Sequence, residues 1–274
     1  MNPNTSGREP VAVLLAEEWA AIAALGAELD EAAWVTPTDL PGWTAKDCLS
    51  HMSGTELALL GTPAPEVAVD HLEHVTSPFA AAMETWVEAR RATPGADVLA
   101  EFVDATQRRL AVFDAMDEEA WAKPGWSPVG EVPYRTFMEV RVFDCWMHDQ
   151  DIRRAVGRPG NLESPTAALS LDRVGASLGF VVGKRAGAPE GSTVVVEVTG
   201  PVARTFAIEV TDRARPTDTV PAEPTVRIVT DSEVLCALGG GRWDAEQATA
   251  TGRVTVEGDL ALGGRILAGM ATTP

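Results

Sequence analysis

Positive charge is the first thing this chain is short of. Its 22 lysines and arginines face 40 aspartates and glutamates, for a formal charge of −18. Such a field repels phosphate backbones and anionic membranes, so neither nucleic acid nor a membrane is expected as a partner, and an anionic substrate would need arginines gathered locally. Cysteine is scarce as well. Cys48, Cys145 and Cys236 are an odd set, too few for a disulfide framework, and read as free thiols in a reducing compartment. No stretch approaches the roughly 20 apolar residues of a membrane span, and the opening MNPNTSGREP has no apolar signal core. The expectation is a cytoplasmic protein. Neither a Gly-x-Ser-x-Gly nucleophile elbow nor a Gly-x-Gly-x-x-Gly phosphate loop after a strand is expected, and no repeat or heptad pattern organises the chain.

What is present is ample apolar material, 45% of 274 residues, enough for sizeable cores. The most informative stretch is RTFMEVRVFDCWMHDQDIRRAVGR, from Arg135 to Arg158. On a helix, residues three, four and seven apart share a face, so Arg141, Asp144, His148 and Asp151 form one polar stripe. Around it lie Phe137, Val140, Val142, Phe143, Trp146, Met147 and Ile152. A surface helix shows the opposite pattern, one apolar stripe on a polar body; this one predicts a buried helix aiming a carboxylate and an imidazole into an interior site.

Upstream, Leu15, Trp19, Ile22 and Leu29 predict a helix over 9–29. The loop WVTPTDLPGW (34–43) leads to Thr44 and Asp47, a capping-box start, and to a helix carrying Cys48 and His51 one turn apart, stopped by Gly61, Pro63 and Pro65. The following loop holds Asp70, His71, Glu73 and His74, which reads either as a solvated cluster or as a metal site. Helices are predicted over 78–91 and 96–116, and an aromatic, Pro- and Gly-rich loop over 121–134 walls a pocket or plugs the bundle. After Ser164 and Pro165 a helix over about 166–183 completes an all-α half. From Gly191 the period changes to two: STVVVEVTG, ARTFAIEV, PTVRIVT and GRVTVEGD read as strands, with helices SEVLCALGG and DLALGGRILAGMA between and after them. The fold class is thus α followed by α+β, divided into 1–185 and 186–274.

A catalytic transition-metal site uses three protein ligands and keeps a position open. Asp144 and His148 supply two from one helix, and His51 is the natural third. Two rivals stand beside this tripod. Cys48-x2-His51 and Cys145-x2-His148 have the residues of a closed structural Cys2His2 zinc site; alternatively, the cysteines are buried apolar groups and the histidines are satisfied by hydrogen bonds.

The segments PGWTAKDCLSH, VRVFDCWMHDQDIRRAVGRPG and GRVTVEGDLALGGRIL together resemble the mycothiol-dependent maleylpyruvate isomerase family. The resemblance implies a DinB-like N-terminal four-helix bundle holding a divalent metal, usually zinc, and a smaller sterol-carrier-like α+β domain. It matches the metal ligands to His51, Asp144 and His148, with Asp144 standing where the family pattern carries glutamate, and it assigns an essential C-terminal arginine to Arg242. Mycothiol is the implied thiol co-substrate, with an electrophilic small molecule as its partner in an isomerisation or an S-transfer. Arg141 and Arg242 are then the catalytic candidates and Arg153 and Arg154 the cofactor-binding ones, in a monomer or homodimer. The contrasting expectation is a non-catalytic, zinc-containing binding or regulatory protein with a structural metal.

Overall fold

The computed structural model describes residues 8–272; most of the N-terminal decapeptide read for a signal core lies outside them. The chain forms two compact units that divide between Asn161 and Leu162.

The first unit is built on four long helices: α1 (Pro10–Gly26), α3 (Ala45–Leu59), α5 (Gly95–Asp114) and α7 (Tyr134–Ala155). α1 packs on α5 and α7, and α3 packs on the same two, which closes the bundle. Leu15, Ile22, Leu49, Met52, Phe102, Met138 and Trp146 fill its centre. Burying a large side chain of this kind contributes about 1.5–3 kcal/mol, so the apolar flanks of α7 hold the bundle together while its polar stripe is free for other work. α3 starts where the sequence placed it: Thr44 accepts from the Asp47 amide, and the Asp47 carboxylate accepts from the Thr44 amide. Shorter helices α2 (Glu31–Trp34), α4 (Pro78–Glu88) and α6 (Glu118–Ala122) fill in around the bundle. The aromatic loop contains a small antiparallel pair, β1 (Pro124–Gly125) with β2 (Val132–Pro133). No helix of the described residues is long and apolar enough to cross a membrane.

The second unit is a five-stranded sheet with helices. Its strands β3 (Thr193–Thr199), β4 (Arg204–Val210), β5 (Ala214–Thr217), β6 (Val226–Asp231) and β7 (Thr255–Gly258) lie in the order β5-β4-β3-β6-β7. β3 and β6 are parallel and the other pairs antiparallel. The helices are α8 (Pro165–Phe180), which runs into a π turn at Val181–Arg185, then α9 (Ser232–Gly239), α10 (Ala245–Ala250) and α11 (Leu260–Ala268). The sequence reading has neither β5, whose ARPT is too short and too polar to show alternation, nor α10.

The division differs from 185/186 for a packing reason. α8 lies against α9, β4 and β5 and belongs by contact to the second unit. A Cβ on Gly175 would sit 2.2 Å from the Phe206 ring, and one on Gly179 3.3 Å from the Ala214 carbonyl. Small residues on one face of α8 therefore let it settle onto the sheet, and helical periodicity alone does not reveal which unit receives that face.

Candidate metal centre

α3 and α7 pack directly, and their contact brings His51 to Asp144 and His148. His51 Nε2 lies 3.3 Å from Asp144 Oδ2, and His148 Nε2 lies 3.6 Å from Asp144 Oδ1. The imidazole centroids are 4.9 Å apart, and one donor atom from each of the three residues falls within 4.8 Å of the others. Donors bound tetrahedrally at ordinary zinc distances are separated by about 3.3 Å. Two nitrogens and a carboxylate at these spacings thus fit a divalent transition ion. Asp144 keeps 29% of its side chain accessible while His148 keeps 6%, so the trio opens on the carboxylate side, as a site with an exchangeable position requires.

Each ligand candidate is held differently. His148 Nδ1 is 3.1 Å from Asp151 Oδ2, and Asp151 is fully buried and accepts from Arg154 Nη2 at 2.7 Å. A histidine that donates its far N–H to a carboxylate presents the other nitrogen as a ligand. Asp144 is held by Arg141, whose Nη1 donates to Oδ2. Arg141 is itself fixed by Glu56 Oε1, at 2.8 Å from Nη2 and 3.1 Å from Nε. The other Glu56 oxygen accepts from Arg109 Nε at 2.9 Å, and Arg109 Nη2 donates to the Tyr134 hydroxyl at 2.6 Å. His51 has no such anchor: its Nδ1 is buried without a hydrogen-bond partner among the described residues. The Trp43 ring lies 5.3 Å from the His51 ring and 5.6 Å from the His148 ring.

These surroundings set the charge states. Burial lowers the His51 pKa, outweighing the pull of Asp144, so the ring stays neutral and able to ligate. Burial also works against a charged His148, but hydrogen bonds with Asp144, Asp151 and Cys48 prevail and hold its pKa well above the usual imidazole value. Burial would raise Asp144; the charges of Arg141 and His51 and hydrogen bonds from His148 and His51 instead keep it well below the usual carboxylate range.

The rival closed site does not form. Asp144, not Cys145, faces His51. Cys145 turns toward Arg141 Nη2, 3.6 Å away, and burial pushes its thiol pKa far up, which opposes the thiolate a zinc ligand must be. Cys48 lies behind His148, grouped with His148 and Asp151. In the loop before α4, Asp70, His71 and Glu73 are exposed, and His74 pairs with Glu84 at 3.2 Å; this cluster is not among the metal-capable groups of the described residues.

The candidate arginines separate. Arg141 donates to Asp144. Arg153 donates to Asp149 at 2.7 Å, and Arg154 bridges Asp151 and Asp39, both at 2.7 Å. Arg242 belongs to the second unit, in the turn after α9, where Nη1 donates to the Gly240 carbonyl at 2.8 Å. Sequence reasoning missed Glu56, Arg109 and the role of Trp43. Arg109 had a signal: it stands at helical spacing with Phe102, Ala105 and Phe113 on the buried face of α5, where an unpaired cation is not tolerated. The Gly-x-Ser-x-Gly expectation also needs a correction. The string is present as GASLG at 175–179, but it lies within α8, where Ser177 Oγ donates to the Val174 carbonyl at 2.7 Å. It is a helix-packing segment and lacks the strand-to-helix turn of an elbow.

Comparison with known proteins agrees with this architecture. Residues 15–153, just over half of the chain, match the family described as mycothiol maleylpyruvate isomerase N-terminal domain, and residues 183–267 match the SCP-2 sterol transfer family. Comparison with curated proteins gives no match. Among solved structures, the chain is similar to the crystal structure of the mycothiol-dependent maleylpyruvate isomerase, at 16% identity, and to that of a histidine-to-alanine mutant of it, at 15%. Each has a TM-score of 0.58 and covers 90% of this chain and 91% of the other, a likeness of fold. With its DinB-like helical unit followed by an SCP-2-like α+β unit, the chain belongs to the mycothiol maleylpyruvate isomerase N-terminal domain family.

Proposed function

We propose that the protein is a mycothiol-dependent enzyme that uses a divalent metal, zinc, held by His51, Asp144 and His148, to activate the thiol toward an electrophilic small molecule. The observation that carries this reading is the convergence of those three donors from two helices, open on the side of Asp144. When bound, the ion favours the thiolate over the thiol, whose unperturbed pKa is about 8.5.

The residues of the chain prepare the site. Asp151 fixes the His148 tautomer, and Arg141, pinned by Glu56, orients the Asp144 carboxylate. Arg141 acts on the metal ligand and not on substrate. Arg242 is the residue we assign to a substrate carboxylate. Arg153 and Arg154 receive the thiol co-substrate only by sharing the carboxylates that now hold them. The thiolate adds to an activated double bond; rotation about the resulting single bond and expulsion of the thiolate give the geometric isomer. An adduct that is kept is the product of an S-transfer. The side open to solvent argues against a purely structural metal.

The test is metal analysis and spectroscopy on the full chain. One equivalent of zinc is expected in the wild type and in Cys145→Ala, and none in His51→Ala or His148→Ala, with the helical circular dichroism unchanged. Mycothiol added to the cobalt-substituted protein is expected to produce a sulfur-to-cobalt charge-transfer band, and maleylpyruvate turnover to require mycothiol. A cobalt spectrum indifferent to saturating mycothiol overturns the proposal.

A further inference from the structure

The two histidine ligands are unequally secured, and the difference points to a residue outside the ligand set. His148 is held by Asp151. His51 has no hydrogen bond at Nδ1 among the described residues; only its Nε2, the nitrogen aimed at the site, meets a carboxylate, Asp144 Oδ2 at 3.3 Å, so the far side of its ring rests on packing. The ring it packs on is that of Trp43, tilted 42° to His51 and 31° to His148 with centroids 5.3 and 5.6 Å away. Trp43 sits on the PGW loop just before the capping box of α3, and a loop indole held only by packing would not keep a fixed plane. Here it is anchored: Nε1 donates to Glu84 Oε2 at 2.8 Å.

Glu84, from α4, is a buried carboxylate with 2% of its side chain exposed. Arg91 donates to its other oxygen at 2.8 Å and reaches on to the Gly42 carbonyl at 3.2 Å and to Asp47 of the capping box at 3.0 Å. His74 closes the remaining side. A Cβ on Gly42, which adopts φ +77°, would lie 2.6 Å from the His74 ring, so that position needs glycine for both its backbone and its space. The PGW loop is therefore tied to α4 by the Trp43–Glu84 bond and to the segment just after α4 by Arg91, and a buried carboxylate receives the indole N–H. A buried carboxylate with this set of donors is costly to assemble, and what it fixes is the plane of Trp43.

We propose that Glu84 is a positioning residue for the metal centre, acting through the Trp43 N–H to hold the indole against His51 and His148 and so keep the unanchored His51 ring aimed at the ion. This rests on the metal reading above. It makes Trp43 one wall of the coordination position that faces solvent, and Glu84 the residue that sets how rigid that wall is.

A double-mutant cycle on the full-length protein tests it, with zinc affinity measured by competition with a chromogenic chelator. Removing partners that orient a ligand weakens metal binding by about 10–100-fold, so Trp43→Ala is expected to fall in that range. Glu84→Gln, which keeps volume but replaces the carboxylate acceptor by an amide, and Trp43→Phe, which keeps an aromatic ring but removes the N–H donor, are expected to fall several-fold each. Because both break the same link, Glu84→Gln in the Trp43→Phe background is expected to cost nothing more. Glu101→Gln, which cuts the surface pair with Arg90, controls for general loosening and is expected to leave affinity unchanged. Equal affinity in wild type, Trp43→Ala and Glu84→Gln, or fully additive losses in the double variant, overturns this inference. A wild type that binds no zinc at His51 and His148 instead overturns the metal reading itself. Folding of each variant is checked by circular dichroism, and the conservative pair keeps the cycle readable if Trp43→Ala unfolds.

Discussion

Replacing Glu56 by glutamine strikes the chain of charges that ends on Asp144. Glu56 is fully buried and accepts from two buried guanidiniums, Arg109 on one oxygen and Arg141 on the other. Arg141 stays charged, its pKa raised above the usual arginine value: burial opposes the charge, but Cys145, Glu56 and Asp144 around it outweigh that cost. A glutamine keeps one acceptor oxygen and turns an N–H2 toward the other arginine, so one guanidinium is left facing a donor. Hydrogen bonds to charged groups contribute about 1.5–3 kcal/mol, and removing one partner of a buried ion pair costs about 3–5 kcal/mol. The first unit is therefore expected to lose about 4 kcal/mol. With a urea dependence of about 2 kcal/mol per molar, the midpoint falls by about 2 M. Tryptophan fluorescence reads this unit well, because seven of the eight tryptophans lie in it and only Trp243 lies in the second. A midpoint drop below about 0.5 M, or about 1 kcal/mol, would refute the reasoning, since it would mean that Glu56 carries no charge worth keeping between the two arginines.

Two further substitutions probe separate links. Asp151→Asn removes the carboxylate that holds His148 Nδ1 and leaves Arg154 with Asp39; zinc affinity is expected to fall about 10–100-fold with the fold retained, and an unchanged affinity would show that the tautomer is set elsewhere. Gly54→Ala places a Cβ 2.4 Å from the Trp86 Cβ between α3 and α4. Overpacking of this kind costs about 1–3 kcal/mol, read as a shift in the urea midpoint, and a shift too small to measure would mean that α4 slides aside freely.

The amino-acid sequence by itself determined the α then α+β order and the start of α3, and it singled out His51, Asp144 and His148, which the fold brings together. All three follow from local rules. Thr44 and Asp47 cap within four residues, period-two runs mark β3, β4 and β6, and the polar stripe of α7 stands out because its neighbours are apolar. Even the choice between Asp144 and Cys145 was framed there, since adjacent residues on a helix point about 100° apart.

Tertiary structure decided what depends on pairs distant in the chain. It turned Asp144 toward His51, 93 positions away, and Cys145 toward Arg141. It gave α8 to the sheet, through a face whose small residues look like any helix interior until Phe206 is packed on them. It also set Arg141, a catalytic candidate in the sequence, between Asp144 and Glu56, because Glu56 of α3 reaches it with one oxygen while the other holds Arg109 of α5. A buried charge announces in the sequence that it needs a partner, but only packing names that partner, since electrostatic contacts act through space and carry no periodicity.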